Sequence, residues 1–373
     1  MFIHYCWKKN KYIKSRRDFS EDYSHVESKK YDMNLSGRYI SKYPNIDVSI
    51  ASFDKYPLFK DSDRLIETIL KNIKCKCSII LGNGSNGLLQ NIIKIQFKKK
   101  GNLITPFYTF NQAEFGVSFY NSITKRVYTN NYNIDLDKMY KSIDFKTRMI
   151  YICNPNNPTG IFIDSNKIID FCNKTKKLVV VDESGIEFTK KKGILETIQK
   201  MPDNLIVIRS FSKAFGLANL RMGYIACSEK FEELYLRSTT INEYSGISCL
   251  MAYKILKSGM KSVNDNINLI IKERKKIINS LKNVGIECTN SSSNIIFTKT
   301  TFNKKIFEFL TKYEVSVIPI LDENEKYHIR VAIQDIETND YFLEIMNNKT
   351  IEKYIEDWNI LNVRKRWCIW KYL

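Results

Sequence analysis

The sequence lacks the residue patterns on which metal sites, membrane spans and secreted disulfide scaffolds depend. Only 3 of its 373 residues are His, and no two cysteine pairs stand at zinc spacing, so no metal site is expected. No apolar run reaches the roughly 18 residues of a membrane span, and Met1–Trp7 is too short for the core of a secretion signal. The nine cysteines are odd in number and lie mostly within apolar runs, which indicates free thiols. We therefore expect a soluble, cytoplasmic protein with no membrane partner.

Acidic residues are also scarce relative to basic ones. The chain has 59 Lys and Arg against 40 Asp and Glu, which gives a net charge of +19. Such an excess is compatible with nucleic acid, an anionic membrane or an anionic small substrate. However, the basic residues are scattered and form no single stripe interleaved with aromatic residues. We attribute most of the charge to a general richness in lysine and expect no nucleic-acid partner.

Short apolar runs alternate with amphipathic helical segments over most of the chain. Strands are predicted at 78–81, 102–105, 126–128, 149–153, 178–181, 205–208 and 224–227, with helices at 63–73, 85–97, 137–143 and 165–173. Later in the chain a long helix is predicted at 263–284, strands at 294–298, 315–318 and 328–333, and helices at 304–311 and from 340. This alternation predicts an α/β fold whose sheet is mostly parallel. We expect an N-terminal arm at 1–45, a large domain at 46–235 and a small C-terminal α/β domain at 236–373.

One lysine stands in a setting that favours covalent chemistry. The buried strand predicted at 205–208 leads into Ser210-Phe211-Ser212-Lys213. A lysine in a pocket there would lose solvation, which favours the neutral, nucleophilic amine used in Schiff-base chemistry. Ser210, Ser212 and Arg221 supply hydroxyl and guanidinium donors of the kind that bind phosphate. An amine beside a phosphate site is what pyridoxal phosphate requires, although a lysine taken alone would more often lie on the surface.

Polar turns follow three other predicted strands. Gly82–Gly87 opens a helix, so backbone N–H groups and the helix dipole face an anion there. A dinucleotide site would need an acidic residue about 20 positions on, and 102–106 has none, so a phosphate site is favoured. Asn154–Gly160 is a rigid turn at the strand edge where α/β sheets bind ligands. Asp182 ends another strand, where it would pair with a protonated ring nitrogen or cap a helix.

Five motifs in this order resemble the class I/II, fold-type I aminotransferases, over roughly 56–339 of the chain. They are Gly82–Gly87, Asn154–Gly160, Asp182-Glu183, Ser210–Gly216 and Arg221, and they are most similar to the branch that holds histidinol-phosphate aminotransferase and threonine-phosphate decarboxylase. The resemblance implies a mostly parallel seven-stranded sheet, a smaller α/β domain, bound pyridoxal 5'-phosphate and a homodimer. It also implies amino-group transfer between an amino acid, or a phosphorylated or anionic amine, and a keto acid.

The resemblance also implies a role for individual residues. Lys213 would form the internal Schiff base (the internal aldimine) and move the α-proton, Asp182 would pair with the pyridinium nitrogen, and Asn157 would bond the ring 3-oxygen and contact substrate. The phosphate would be held by Ser85, Asn86, Ser210, Ser212, Arg221 and, from the other subunit, Tyr56. Either Tyr108 or Phe110 would stack on the ring, since Asn111 stands where the family has its stacking aromatic residue. Arg330, followed by Asn339, would bind the substrate carboxylate.

The sequence departs from the aminotransferases at Gly185, where they have a tyrosine that donates to the ring 3-oxygen. The decarboxylase branch also lacks that hydroxyl, so decarboxylation of a threonine-phosphate-like amino acid is the alternative reaction. Tyr108 or Tyr151 could instead supply the missing hydroxyl. A third interpretation is a non-catalytic binding protein of this fold, against which the intact Lys213 and Asp182 argue. The basic, Trp-containing tail at 364–373 is either a docked terminal segment or a lipid- or partner-binding tail.

Overall fold

The computed structural model describes residues 31–33, 59–129, 132–240, 243–322, 324 and 326–356. Tyr56, the tail at 364–373 and most of the predicted arm lie outside the described residues. The described chain forms two compact units: a large unit within 37–269, and a small unit made of 31–33 and the residues after 269. The domain boundaries expected at 45 and 235 mark changes in sequence pattern and stay predictions. No helix in the described ranges is long and apolar enough to span a bilayer.

The large unit is built on a mixed sheet of seven strands. Numbered along the whole chain after a short β1 (Tyr31–Asp32) in the small unit, they are β2 (Ser78–Asn83), β3 (Asn102–Pro106), β4 (Ile123–Val127), β5 (Thr147–Cys153), β6 (Leu178–Asp182), β7 (Leu205–Ser210) and β8 (Met222–Cys227). Their order across the sheet is β2-β8-β7-β6-β5-β3-β4. β8 runs in the direction opposite to the other six, so its pairings with β2 and β7 are antiparallel. The predicted α/β class with a mostly parallel sheet is confirmed, whereas the direction of β8 was not predicted.

Helices cover this sheet because its central strands are apolar on both faces. Those of the large unit are α1 (Phe59–Asn72), α2 (Gly84–Gln96), α3 (Gln112–Ser118), α4 (Leu136–Lys141), α5 (Ser165–Lys174), α6 (Glu229–Leu236) and α7 (Gly246–Lys254), followed by α8 (Met260–Asn283). Val180, Ile206 and Ile225 are fully buried and share one core cluster with Leu88 and Ile92 of α2. This packing fixes the start of α2 against the sheet.

The small unit contains a second, three-stranded sheet. Its elements after α8 are β9 (Ile295–Phe297), α9 (Lys305–Lys312), β10 (Val315–Ser316), β11 (Ile318–Leu321), β12 (Tyr327–Ala332) and α10 (Ile336–Met346). The order is β11-β12-β9, while β10 pairs with β1 instead. The single strand predicted at 315–318 is therefore two strands in two different sheets. The last helix begins at Ile336 and not at 340, because the Asp335 carboxylate accepts the backbone N–H of Thr338 and caps it there.

Candidate active site

The motifs singled out in the sequence meet at one edge of the large sheet. The carboxyl ends of the parallel strands β2, β5, β6 and β7 all lie there, and the reversed direction of β8 brings its first residue to the same edge. The register pairs at this edge are Cys153 with Asp182, Ser210 with Gly223, and Asn83 with Met222. Because α/β sheets bind ligands outside the carboxyl ends of their strands, this edge is the candidate active site.

The start of α2 presents free backbone donors to this edge. No side chain caps its first turn, whereas carboxylates or a hydroxyl cap α4, α5 and α6. The guanidinium of Arg221 lies directly against Gly84, whose φ is +71°: a Cβ built there would stand 2.5 Å from Nη2. Glycine is required at this position both by the left-handed backbone and by the guanidinium. Bare N–H groups, the helix dipole and an arginine together form a site for an anion.

Hydroxyl groups from the end of β7 complete this cradle. Arg221 Nη1 donates to Ser212 Oγ over 3.4 Å and to the carbonyl of Ala218 over 3.1 Å. The N–H of Ser212 donates to Ser210 Oγ at 3.1 Å, which fixes the turn. At Gly223 a Cβ would come within 3.0 Å of the Ser85 nitrogen, so β8 approaches α2 closely. The two glycines let Arg221 and the first turn of α2 approach β8 closely, and the donors gathered there fit the phosphate of pyridoxal phosphate.

Asp182 is held by two donors at the end of β6. Its side chain is almost fully buried, Oδ2 accepts the hydroxyl of Tyr151 at 3.0 Å, and Oδ1 accepts the N–H of Ser184 at 3.0 Å. Burial and the negative charge of Asp182 raise the pKa of Tyr151 well above its ordinary value, so the hydroxyl stays protonated. From the sequence, Tyr151 is one candidate for the hydroxyl that donates to the ring 3-oxygen. In the structure its hydroxyl proton is donated to Asp182 instead.

Lys213 and Asp182 lie near the same buried thiol. Burial and the charge of Asp182 raise the pKa of Cys153 to about 12, while the positive charge of Lys213 acts in the opposite direction. Cys153 is therefore a neutral thiol, and its Sγ donates to the carbonyl of Pro155 at 3.4 Å. The Lys213 side chain is partly exposed and not enclosed in the desolvated pocket that the sequence suggests. The amine of Lys213 and the carboxylate of Asp182 thus both act on the same thiol at this edge.

The turn after β5 is tied to the segment after β3 by a residue that sequence reasoning missed. Asn157, the predicted ring-binding amide, is half-buried, but Asn156 is fully buried. Asn156 Nδ2 donates to the carbonyl of Tyr108 at 2.7 Å and to Thr159 Oγ1 at 2.8 Å, and its Oδ1 accepts from Thr109 Oγ1 at 2.9 Å. The repeated amides of Asn154–Gly160 were a signal, but they did not indicate which one is structural.

The aromatic residues near this turn differ in their surroundings. The ring of Tyr108 is buried and lies 4.9 Å from that of Phe107 and 5.3 Å from that of Tyr132. Phe110 packs against the hydrophobic core of the large unit, and Asn111 begins the turn that opens α3. Which of Tyr108 and Phe110 stacks on a cofactor ring stays a prediction.

A buried ionic cluster lies beneath the phosphate cradle. Arg209, the residue before Ser210, donates from Nε to Glu183 Oε2 at 2.8 Å and from Nη2 to Glu196 Oε2 at 2.9 Å. Burial raises the pKa of the neighbouring Glu187 to about 7, against the opposing effect of Arg209. The cluster ties the end of β7 to the loop after β6, and so supports the hydroxyl of Ser210.

The remaining predicted site residues lie elsewhere. Arg330 is a buried residue of β12 in the small unit, and its role in substrate binding stays a prediction. Asn339 is fully buried in the same unit, where its amide donates to Glu273 Oε2 at 3.0 Å and to the carbonyl of Gln334 at 2.8 Å. Asn339 is thus a structural residue of α10.

Comparison with known proteins agrees with this geometry. The model of the family "aminotransferase class I and II" matches residues 34–346. The chain is 32% identical over 278 residues to histidinol-phosphate aminotransferase from Thermoanaerobacter pseudethanolicus, a match that covers 71% of this chain and 76% of that protein. The fold is similar to a putative histidinol-phosphate aminotransferase from Erwinia carotovora atroseptica (TM-score 0.78, 17% identity, 87% of this chain and 96% of that one). It is also similar to the Sinorhizobium meliloti histidinol-phosphate aminotransferase in complex with pyridoxal-5'-phosphate (TM-score 0.72, 18% identity, 78% and 83%).

The extent of the family match and the identity to a named relative indicate an aminotransferase, and they favour neither the non-catalytic interpretation nor the decarboxylase. The chain therefore belongs to the class I and II aminotransferases, fold-type I enzymes that use pyridoxal phosphate.

Proposed function

We propose that the protein transfers an amino group between a phosphorylated amine of the histidinol-phosphate type and a keto acid. The single observation that carries the site is the meeting of Lys213, Asp182 and the Arg221–Ser212 phosphate cradle at one sheet edge. The choice of a phosphorylated amine is supported by the 32% identity to a histidinol-phosphate aminotransferase.

Bound pyridoxal phosphate supplies an aldehyde for amines and a ring that withdraws electrons from the substrate Cα. In our proposal Lys213 Nζ holds the cofactor covalently and afterwards carries the proton taken from the substrate Cα. The buried side chain of Asp182 would pair with the ring nitrogen and so favour its protonated form. The half-buried amide of Asn157 donates to the ring 3-oxygen, where Gly185 offers no hydroxyl.

The other predicted residues hold the cofactor and substrate in this proposal. The phosphate is bound by the N–H groups of Ser85 and Asn86 and by the side chains of Ser210, Ser212 and Arg221. Tyr108 or Phe110 stacks on the ring. Arg330 binds the carboxylate of the amino-acid or keto-acid substrate as a bidentate donor.

We also propose that the enzyme is a homodimer in which Tyr56 of one subunit reaches the phosphate of the other. Mixing Tyr56→Phe with Lys213→Ala protein should then form heterodimers with one intact site and restore activity. A monomer in sedimentation that is fully active would contradict this arrangement. A reducing, cytoplasmic location is supported by the cysteines within the described ranges, all of which are free thiols.

The decisive experiment supplies the purified holoenzyme with histidinol phosphate and 2-oxoglutarate and measures glutamate formation. Unphosphorylated histidinol tests the need for the phosphate, and Lys213→Ala is the inactive control. We expect glutamate only with a phosphorylated or otherwise anionic donor. Release of CO2 from O-phosphothreonine without glutamate formation from any donor would overturn the proposal in favour of decarboxylation.

A further inference from the structure

We propose that Tyr151 is a positioning residue that acts through Asp182: its hydroxyl holds the carboxylate in the orientation that pairs with the cofactor ring nitrogen. The inference rests on the role proposed above for Asp182. It adds Tyr151, a residue of β5, to the residues that determine how Asp182 of the neighbouring strand β6 pairs with the cofactor ring.

The strand register explains why residue 151 can reach this carboxylate. Tyr151 of β5 pairs with Val180 of β6, and Asp182 lies two residues further along β6. Residues two apart on a strand share a face, so Tyr151 and Asp182 are diagonal neighbours on one face of the sheet. Diagonal neighbours are within reach of long aromatic side chains but not of short ones. The Tyr151 hydroxyl lies 3.0 Å from Asp182 Oδ2.

The two donors to Asp182 act on different oxygens. Ser184 donates its backbone N–H to Oδ1, and Tyr151 donates its hydroxyl to Oδ2. One bond to each oxygen opposes rotation about the Cβ–Cγ bond, and each oxygen keeps a lone pair for a further donor. Because the Ser184 bond comes from the residue two positions on, it belongs to the local turn, whereas the Tyr151 bond ties the carboxylate to the rigid sheet.

The environment of Tyr151 leaves its hydroxyl no role other than that of a donor. The side chain is fully buried. The groups that act on its hydroxyl are the Asp182 carboxylate and the neutral thiol of Cys153. A buried carboxylate is costly unless donors compensate it. Removing the hydroxyl leaves Asp182 with a single donor, the backbone N–H of Ser184. The negative charge of the carboxylate is then less stabilised, and its orientation is less restricted.

The experiment compares two ligands on four apoproteins. The ligands are pyridoxal phosphate and its 1-deaza analogue, in which C–H replaces the ring nitrogen, and dissociation constants are measured by equilibrium dialysis. The proteins are the wild type, Tyr151→Phe, Asp182→Ala and the matched control Tyr235→Phe. Tyr235 is also a buried tyrosine of the large unit, and its hydroxyl meets the Glu243 carboxylate at 3.5 Å. Thermal melts of the apoproteins check that each variant folds.

The two ligands differ only at the ring nitrogen. The ratio of their dissociation constants therefore measures the contribution of that nitrogen to binding, separately from the contributions of the phosphate and the lysine. We expect the wild type to favour pyridoxal phosphate, Asp182→Ala to abolish that preference, and Tyr151→Phe to reduce it about tenfold, the usual effect of one bond to a charged group. Tyr235→Phe should leave the ratio unchanged. A fifth apoprotein, the double variant Asp182→Ala/Tyr151→Phe, should show the same ratio as Asp182→Ala alone.

The outcomes separate this inference from the proposed function. Suppose that Asp182→Ala abolishes the preference for pyridoxal phosphate, but Tyr151→Phe, like the control Tyr235→Phe, leaves it unchanged. The proposed role of Tyr151 is then wrong, and that of Asp182 stands. If Tyr151→Phe lowers affinity for both ligands equally, the residue is structural only and the inference fails. If Asp182→Ala itself keeps the preference, both the role of Asp182 and the inference that rests on it are wrong.

Discussion

Replacing Gly84 by alanine should weaken cofactor binding through the phosphate alone. Gly84 is the first residue of α2, with φ of +71°, and its missing Cβ leaves the space in which the Arg221 guanidinium lies. The added methyl group would stand 2.5 Å from Nη2 and 3.0 Å from Cζ of Arg221. Because these atoms are the far end of a flexible side chain, the guanidinium moves away and the backbone does not have to shift.

The expected magnitude has two separate parts. A left-handed conformation costs an L-residue about 1–2 kcal/mol, and this strain lowers the free energy of unfolding. The displaced guanidinium loses its charge-assisted bonds to the phosphate, worth about 1.5–3 kcal/mol. That loss raises the dissociation constant of pyridoxal phosphate about ten- to hundredfold.

The assay is equilibrium dialysis of apoprotein with pyridoxal phosphate and with pyridoxal, which has no phosphate. Gly87→Ala in the same helix is the matched control, because a Cβ there meets nothing closer than the Asn83 Cβ at 3.5 Å. Gly84→Ala should lose affinity for pyridoxal phosphate only, and Gly87→Ala should bind both ligands normally. An equal loss for pyridoxal, or no loss at all, would refute the placement of the phosphate between α2 and Arg221.

Three further predictions concern the chemistry, the turn and the ionic cluster. Lys213→Ala should abolish both turnover and the covalent adduct that borohydride fixes, and an adduct mapped by mass spectrometry to another lysine would contradict the assignment. Asn156→Ala removes three hydrogen bonds, two of them fully buried, and should lower the free energy of unfolding by about 2–4 kcal/mol. Asn166→Ala on the surface of α5 should change it little, and urea titrations measure both. The pKa of Glu187 is raised from 4.5 to about 7, so its contribution to stability is present below pH 4.5 and is lost as the pH rises through 7. Between about pH 5 and pH 8 the wild type should therefore lose up to about 3 kcal/mol relative to Glu187→Gln, and parallel stability curves for the two proteins would count against this.

The sequence was sufficient to predict the strands of the large sheet. All seven strands of that sheet were predicted, six of them as short apolar runs between turn residues. The exception is β4 (Ile123–Val127), which is mostly polar and which the prediction at 126–128 covered only at its end. The motifs were predicted to lie at strand ends, and the register brings those ends together. These features are local in sequence, so periodicity and turn chemistry are enough to find them.

Contacts that depend on register could not be predicted in the same way. The bond from Tyr151 to Asp182 requires the alignment of β5 with β6, which no single segment encodes. The three bonds of Asn156 likewise depend on how two loops meet. The segment predicted as one strand at 315–318 is divided because β10 and β11 belong to two different sheets. The sequence of a short apolar run does not indicate which strand it pairs with.

The reversed direction of β8 explains how so many of the proposed cofactor ligands come from one short stretch. Parallel neighbours need a crossover of about a dozen residues or more, which would carry the chain to the opposite edge before it returns. Antiparallel neighbours can instead be joined directly, and β7 ends at Ser210 while β8 begins at Met222. The connection therefore stays at the carboxyl edge along its whole length. Ser212, Lys213 and Arg221 remain at this edge for that reason, and the pairing of Asn83 with Met222 places the start of α2 beside them.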